Sequence, residues 1–485
     1  MSEYVPTIGL EIHAELKTQT KMFCRSKNDA DEKRPNVNIC PVCMAHPGTL
    51  PVINREAVRS VLRVGVALGS NLADYTEFDR KNYLYPDLPK GYQLSQFEYP
   101  LVSKGELAGV AITRVHLEED TASSMHEEGV GTTIDYNRAG VPLMELVTEP
   151  VIHSAEEAGK FARELQLLLR TLGVSEANME KGEMRVEANI SVSKDGTLGT
   201  KVEVKNLNSF NTMERAVRYE IKRQIALLEK GESVQQQTLG WDENKQATFP
   251  QRSKEGSADY RYFPDPDLPS LKLSELPEFS RDGLQKSLPE LPANRKGRYI
   301  SLGVKSEDAD AYVRDLGLGT FFEDVIAGWE KQPEKVVAAS NYIANDLVKL
   351  IRDSQAVEPR DIEKRDTEVQ SEISISAQNF KKIIDMVSEK KISSRSAKDL
   401  LAECVKTNAE PEVLAKERGL FQVSSEAALE ATVADVIEKN PTVVADFKAG
   451  KEAALEYLLG QSMKALRGAG DPETLRRLLR TKMNA

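Results

Sequence analysis

Four stretches in the first half of the chain alternate apolar and polar residues and keep their charges on one face, a pattern that folds only as strands with one side buried. In the first, Ile8, Leu10, Ile12, Ala14 and Leu16 fall on one side, and Gly9, Glu11, His13 and Glu15 on the other. Glu11 and His13 then project side by side, roughly 7 Å apart at about 3.3 Å per residue. A carboxylate and an imidazole so placed hold a divalent ion or relay a proton. The same pattern also describes a half-exposed strand whose polar face meets water.

The segment RVHLEED puts Arg114, His116, Glu118 and Asp120 on one face, and Val115, Leu117 and Glu119 on the other. Glu119 is an acid on the apolar side. A buried carboxylate is costly unless paired or metal-bound, so Glu119 is the acid of this segment expected to carry chemistry. If the strand ends at Leu117, Glu119 faces water instead. MRVEANISV turns Arg185, Glu187 and Asn189 outward, and KVEVKNL adds Lys201, Glu203 and Lys205. Acids for a cation and bases for phosphates are both available if these strands share a sheet. Cross-strand salt bridges explain the pattern equally.

A long helix follows, with Asn211 expected as its cap, Glu214 closing an N-x-x-E box and Gly231 as its stop. Between Pro264 and Pro292 lie six of the chain's 22 prolines, which read as a linker or an extended strap. Beyond it, amphipathic helical patterns replace the strands, with a weak break at Asn408 to Pro411. At 485 residues there is room for two or three domains. The net charge is −11, yet Met463 to Ala485 carries six basic residues, among them Lys464, Arg467, Arg476, Arg477 and Arg480, against two acids. An RNA-facing helix looks like this, and so does a solvated basic face. The opening residues hold no unbroken apolar run, and four cysteines in so long a chain point to a reducing, cytoplasmic setting.

Asp79 to Pro100 packs five aromatic residues with Arg80, Lys81 and Lys90. The later stretch SKEGSADYRYF repeats the theme with Lys254, Tyr260, Arg261, Tyr262 and Phe263. Such loops stack bases while their cations meet phosphates. The chain has no G-x-x-x-x-G-K-[ST], no G-x-G-x-x-G after a strand, no kinase H-R-D or D-F-G set, no G-x-S-x-G and no H-E-x-x-H. Any ATP site is therefore a non-standard one.

Together, IGLEIHAELKTQTKMF, PVCMAHPGTLPVIN, FDRKNYLYPDLPKGYQLSQFEYP, HLEEDTASS, DYNRAGVPLMELVTEP, VKNLNSFNTMERAVRYE and EGSADYRYFPDPDLP resemble the GatB/GatE family, with LGQSMKALRGAGDP similar to its YqeY-like tail. The resemblance implies an α+β fold: a cradle-shaped, mixed-sheet catalytic domain over residues 1–293 with a strap at 264–293, a helical domain over 294–407, and a helical, tRNA-binding tail over 408–485. It implies the B subunit of a tRNA-dependent amidotransferase, a carbon–nitrogen ligase using glutamine nitrogen. Such a protein phosphorylates the side-chain carboxylate of Glu-tRNA(Gln) or Asp-tRNA(Asn) with ATP and Mg2+, and ammonia from the partner amidase, the A subunit, displaces the phosphate. The small C subunit makes up the heterotrimer. The rival reading is a non-catalytic tRNA-binding scaffold.

The family's metal site falls on Glu11, His13 and Glu119 here, with Glu187 and Lys205 as further catalytic residues, Lys81 and Arg185 toward the nucleotide, and Lys464, Arg467, Arg476, Arg477 and Arg480 toward tRNA. Many members also carry a C-x-C and C-x-x-C zinc site. In this chain Cys24, Cys40 and Cys43 remain and Ser26 stands where the second cysteine is expected. Either His46 or a water completes a residual zinc site, or the loop is held by packing.

Overall fold

The computed structural model describes residues 4–484 except 30, 128, 130, 254–259, 355–372, 422–425 and 467–469. The chain divides into two compact units, Met1–Pro292 and Ala293–Ala485. Lys254 of the second aromatic stretch and Arg467 of the basic tail lie outside the described residues.

The first unit is built on a ten-stranded sheet. Its elements, in chain order, are β1 (Val5–Glu15), α1 (Arg55–Ala67), β2 (Asp79–Asn82), β3 (Tyr92–Ser95), β4 (Val110–Glu119), β5 (Pro142–Thr148), α2 (Ala155–Thr171), β6 (Met184–Ser193), β7 (Val202–Leu207), α3 (Phe210–Glu229), β8 (Gln237–Asp242), β9 (Ala247–Ser253) and β10 (Phe263–Pro264). The order across the sheet is β9-β8-β7-β6-β1-β5-β4, continued by the short pairs Val102–Ser103 and Asn71–Leu72. Neighbours run antiparallel except β7 and β8, which are parallel, so the sheet is mixed. β1 is central: β5 and β6 take up the hydrogen bonds of both its edges, leaving its side chains alone to tell the two faces apart.

One face is mainly apolar. Ile8, Leu10, Ile12 and Ala14 of β1 are joined there by Val115 and Leu117 of β4, Met144 and Leu146 of β5, and Met184, Val186, Ala188 and Ile190 of β6. The buried stripes of α1 (Val58, Val61, Leu62), α2 (Phe161, Leu165, Leu169) and α3 (Phe210, Met213, Val217) belong to the same core. The cap of α3 is Ser209, whose side chain accepts from the Thr212 amide, and not Asn211. Glu214 pairs with Arg163 of α2 instead of closing a capping box. The proline-rich strap is no free linker. It drops Leu268, Leu273, Phe279 and Leu284 into the same core.

The second unit is helical. Asn408, at φ 48° in the left-handed region, ends the helix Ser394–Thr407, and Pro411 opens the next, Pro411–Glu417. The helices Glu426–Lys439, Ala453–Ala465 and Pro472–Asn484 close around a core of their own, centred on Val433, Leu458, Leu475 and Leu479. No described helix is long and apolar enough to cross a membrane.

Ile12 is fully buried on the strand that carries the polar face on its other side. Ile12→Ala should cost about 3 kcal/mol as transfer plus cavity, read as a lowered urea midpoint of the first unit's transition. An unchanged midpoint would show that β1 is not the central support.

Candidate functional site

Across the other face, register lines up charged groups from four strands. His13 pairs with Arg185 on β6 and Glu145 on β5, Glu145 pairs with His116 on β4, and Glu11 pairs with Glu187 on β6. Period two does the rest, since residues two apart on each strand share this face. His13 Nε2 lies 3.3 Å from both Glu118 Oε1 and Glu145 Oε2. His116 Nε2 lies 3.4 Å from the same Glu145 oxygen, so one carboxylate bridges two imidazoles. Lys205 Nζ reaches Glu187 Oε2 at 2.7 Å and Glu203 Oε1 at 3.6 Å.

The electrostatics show which charges are balanced. Glu145 is held well below the carboxylate range: burial opposes its charge, but His116 and then His13 outweigh burial. His13 is held well above the ordinary imidazole range, since Glu118 and Glu145 overcome the cost of burial. Glu11 is not balanced. Burial, then Glu145 and Glu187, push its carboxyl up to about 7. Two sets of donors sharing His13, namely Glu11, His13, Glu187 and His13, Glu118, Glu145, bring their ligand atoms within 4.8 Å of one another. Carboxylate oxygens in excess, with one acid forced toward its neutral form, are a donor set that fits a hard divalent cation.

Glu119 is not part of this set. It points to the opposite side of β4, where Lys90 pairs with it and the Leu94 amide donates to Oε1 at 2.9 Å. The residue beside His13 is its neighbour Glu118. The rule that a buried acid needs a partner holds for Glu119, and the partner is a lysine. Sequence reasoning passed over Glu145, although a lone acid inside the apolar run VPLMELV was the signal.

Arg185 faces Asp120, 3.2 Å away, and Asp120 also takes Arg138 at 2.6 Å. Lys81 lies on β2, which joins β3 and β10 in a three-stranded sheet. That pairing brings the two aromatic stretches together: Phe97 stacks on Tyr262 at 4.3 Å, and the Lys81 ammonium sits 4.9 Å from the Tyr260 ring. Burial works against the charge on Lys81, but Glu118 leads the groups that hold its pKa above the ordinary range. In the tail, Arg476 pairs with Glu456 and Arg480 with Glu452, so acids on the neighbouring helix offset part of its basic surplus. Lys464 is exposed.

Cys24, Cys40 and Cys43 come together with their sulfurs within 4.8 Å of one another, and His46 does not join them. Ser26 Oγ lies 3.8 Å from Cys43 Sγ.

The first unit thus joins a mixed sheet with an acid- and histidine-lined face to a lysine held among aromatic rings, and a helical unit follows it in the chain. Residues 6–277 match the GatB/GatE catalytic domain and residues 320–483 the GatB domain. The chain belongs to the GatB family. It is 44% identical, over 98% of its length and 98% of the relative's, to the B subunit of the aspartyl/glutamyl-tRNA(Asn/Gln) amidotransferase of Thermomicrobium roseum. The counterpart from Thermus thermophilus is 42% identical over 98% of both chains.

Glu15, on the same face, supplies a pH test. Burial, then Asp120, push its carboxyl from 4.5 up to about 7, against Arg138 and Arg185. Between those values the folded chain binds more protons than the unfolded one, so stability falls as pH rises, by at most about 1.4 kcal/mol per unit. Glu15→Gln leaves Arg138 its bond to Asp120 and should flatten that fall. In urea titrations the variant gains on the parent above pH 7 and not below pH 4.5. An equal difference at both ends would contradict the assignment.

Proposed function

We propose that this chain is the B subunit of a tRNA-dependent amidotransferase and that the acid–histidine face of its sheet is where the side-chain carboxylate of Glu-tRNA(Gln) or Asp-tRNA(Asn) is phosphorylated by ATP. The observation that carries this reading is the meeting of Glu11, His13, Glu118, Glu145 and Glu187 from four strands on one face. A carboxylate is a poor acceptor for ammonia, and a phosphoryl group turns its oxygen into a leaving group. That transfer asks for positioning and charge neutralisation more than for covalent help from the protein.

Mg2+ bound by Glu11, Glu118, Glu145 and Glu187 would supply the charge that neutralises the phosphates. His13 keeps Glu118 and Glu145 apart and in place. Lys205 and Lys81 meet phosphate oxygens from the two sides of the acid cluster, and Arg185, held by Asp120, orients the acceptor. The aromatic rings beside Lys81 give a base or adenine a surface to stack on. Ammonia comes from the partner amidase, with a small third protein completing the heterotrimer, and the helical tail meets the tRNA through Lys464, Arg476, Arg477 and Arg480. Cross-strand ion pairing alone does not account for a face on which Glu11 is pushed up to about 7 despite His13 and Lys205 nearby, which weighs against a pure scaffold.

In the reconstituted complex, Glu11→Ala should retain tRNA binding and lose ATP-dependent amidation by at least about 100-fold. Intact amidation would remove this face from the reaction. Loss of tRNA binding in parallel would favour the scaffold.

A further inference from the structure

The cysteine cluster lies beside a lysine that the proposed reaction leaves unused. Lys21 is fully buried, and its ammonium donates to Cys43 Sγ at 3.9 Å and to the Tyr136 carbonyl at 3.1 Å. Among the described residues no carboxylate forms an ion pair with it. Asp135 is the one acid among the main charges it senses, ranking behind Cys43, Cys24 and Cys40. A buried ammonium is tolerated only where hydrogen bonds and opposite charge meet it, and here the Tyr136 carbonyl is the nearer acceptor while Cys43 leads the groups whose charge favours it.

The surrounding loop is arranged to hold those sulfurs. The Cys40 amide donates to Cys43 Sγ at 3.1 Å, and the Cys40 and Cys43 sulfurs stand 3.8 Å apart. The Lys21 amide donates to the Ser26 carbonyl at 3.0 Å, which ties the lysine to the turn that carries Ser26. Gly140, at φ +83°, lies against the stem: a Cβ there would stand 3.6 Å from Lys21 Cδ, an ordinary contact.

A closed structural zinc site takes four deprotonated donors, each thiolate about 2.3 Å from the metal. This donor set does not fit it. The fourth position is a serine hydroxyl, a poor zinc ligand, and a fixed ammonium already contacts one of the three sulfurs. A metal bound to the same sulfurs would have to share Cys43 Sγ with that ammonium.

We propose that in this chain the Lys21 ammonium has taken the place of the metal, so that Cys24, Cys40, Cys43 and Ser26 form a lysine-capped thiol cluster that holds the Phe23–Gly48 loop without zinc. The single missing thiol separates the two kinds of site. Replacing Ser26 restores four sulfurs, which compete with one ammonium far better than three do.

The test is zinc content by plasma mass spectrometry, on the chain purified in its complex without chelators and dialysed, with maleimide labelling of the three thiols as a second readout. The parent chain should carry fewer than about 0.1 zinc per chain and leave its thiols open to labelling after mild opening, because no metal protects them. Ser26→Cys should bind close to one zinc per chain and shield the thiols. About one tightly held zinc in the parent would overturn the proposal, as would a Ser26→Cys variant that folds and still holds none.

Discussion

The contact on which the rest of this molecule depends is His13 between Glu118 and Glu145, 3.3 Å from each. The three side chains come from three adjacent strands, so the contact exists only if β1, β5 and β4 keep a single register. A slip by one residue would turn every one of these groups into the helix-packed core. The apolar face forbids that slip, because Ile8, Leu10 and Ile12 would then be exposed to water. Burial on one side of the sheet thereby fixes the chemistry on the other.

The same constraint explains why acids accumulate where they repel one another. Glu11, Glu145 and Glu187 are held by backbone register and not by mutual attraction, and the cost appears at Glu11, whose carboxyl is driven up to about 7. Groups held against their own repulsion are preorganised for a partner that carries positive charge. Lys205 pairs with Glu187 and Glu203, and Lys81 is held charged chiefly by Glu118, so the cluster has cations at its margins.

Much of this arrangement was legible in the sequence, since alternation assigned the residues of β1 and β6, and Glu203 and Lys205 of β7, to their faces without knowledge of neighbours; a bulge then turns Leu207 into the core. Alternation also put Glu118 and His116 with the polar groups. Glu119, the acid expected to carry chemistry, stands outside the His13 cluster for a specific reason: the sequence shows that a buried acid needs a partner but not which one, and Lys90 lies 29 positions away. Pairing of β2 with β10, which unites the aromatic stretches around Tyr83 and Tyr260, joins segments far apart in the chain and leaves no local trace. The cap of α3 was misplaced by two residues because Ser209 and Asn211 are both good caps and composition alone does not choose between them.

The division of labour on β4 is sharp: Glu118 works with His13, while its neighbour Glu119 serves the other side of the sheet. It is read directly by single-turnover ATP consumption in the assembled complex with Glu-tRNA(Gln) and no ammonia donor, comparing Glu118→Gln with Glu119→Gln. The first substitution should abolish the burst of ADP, and the second should leave it standing. A burst that survives Glu118→Gln and disappears with Glu119→Gln would contradict this division.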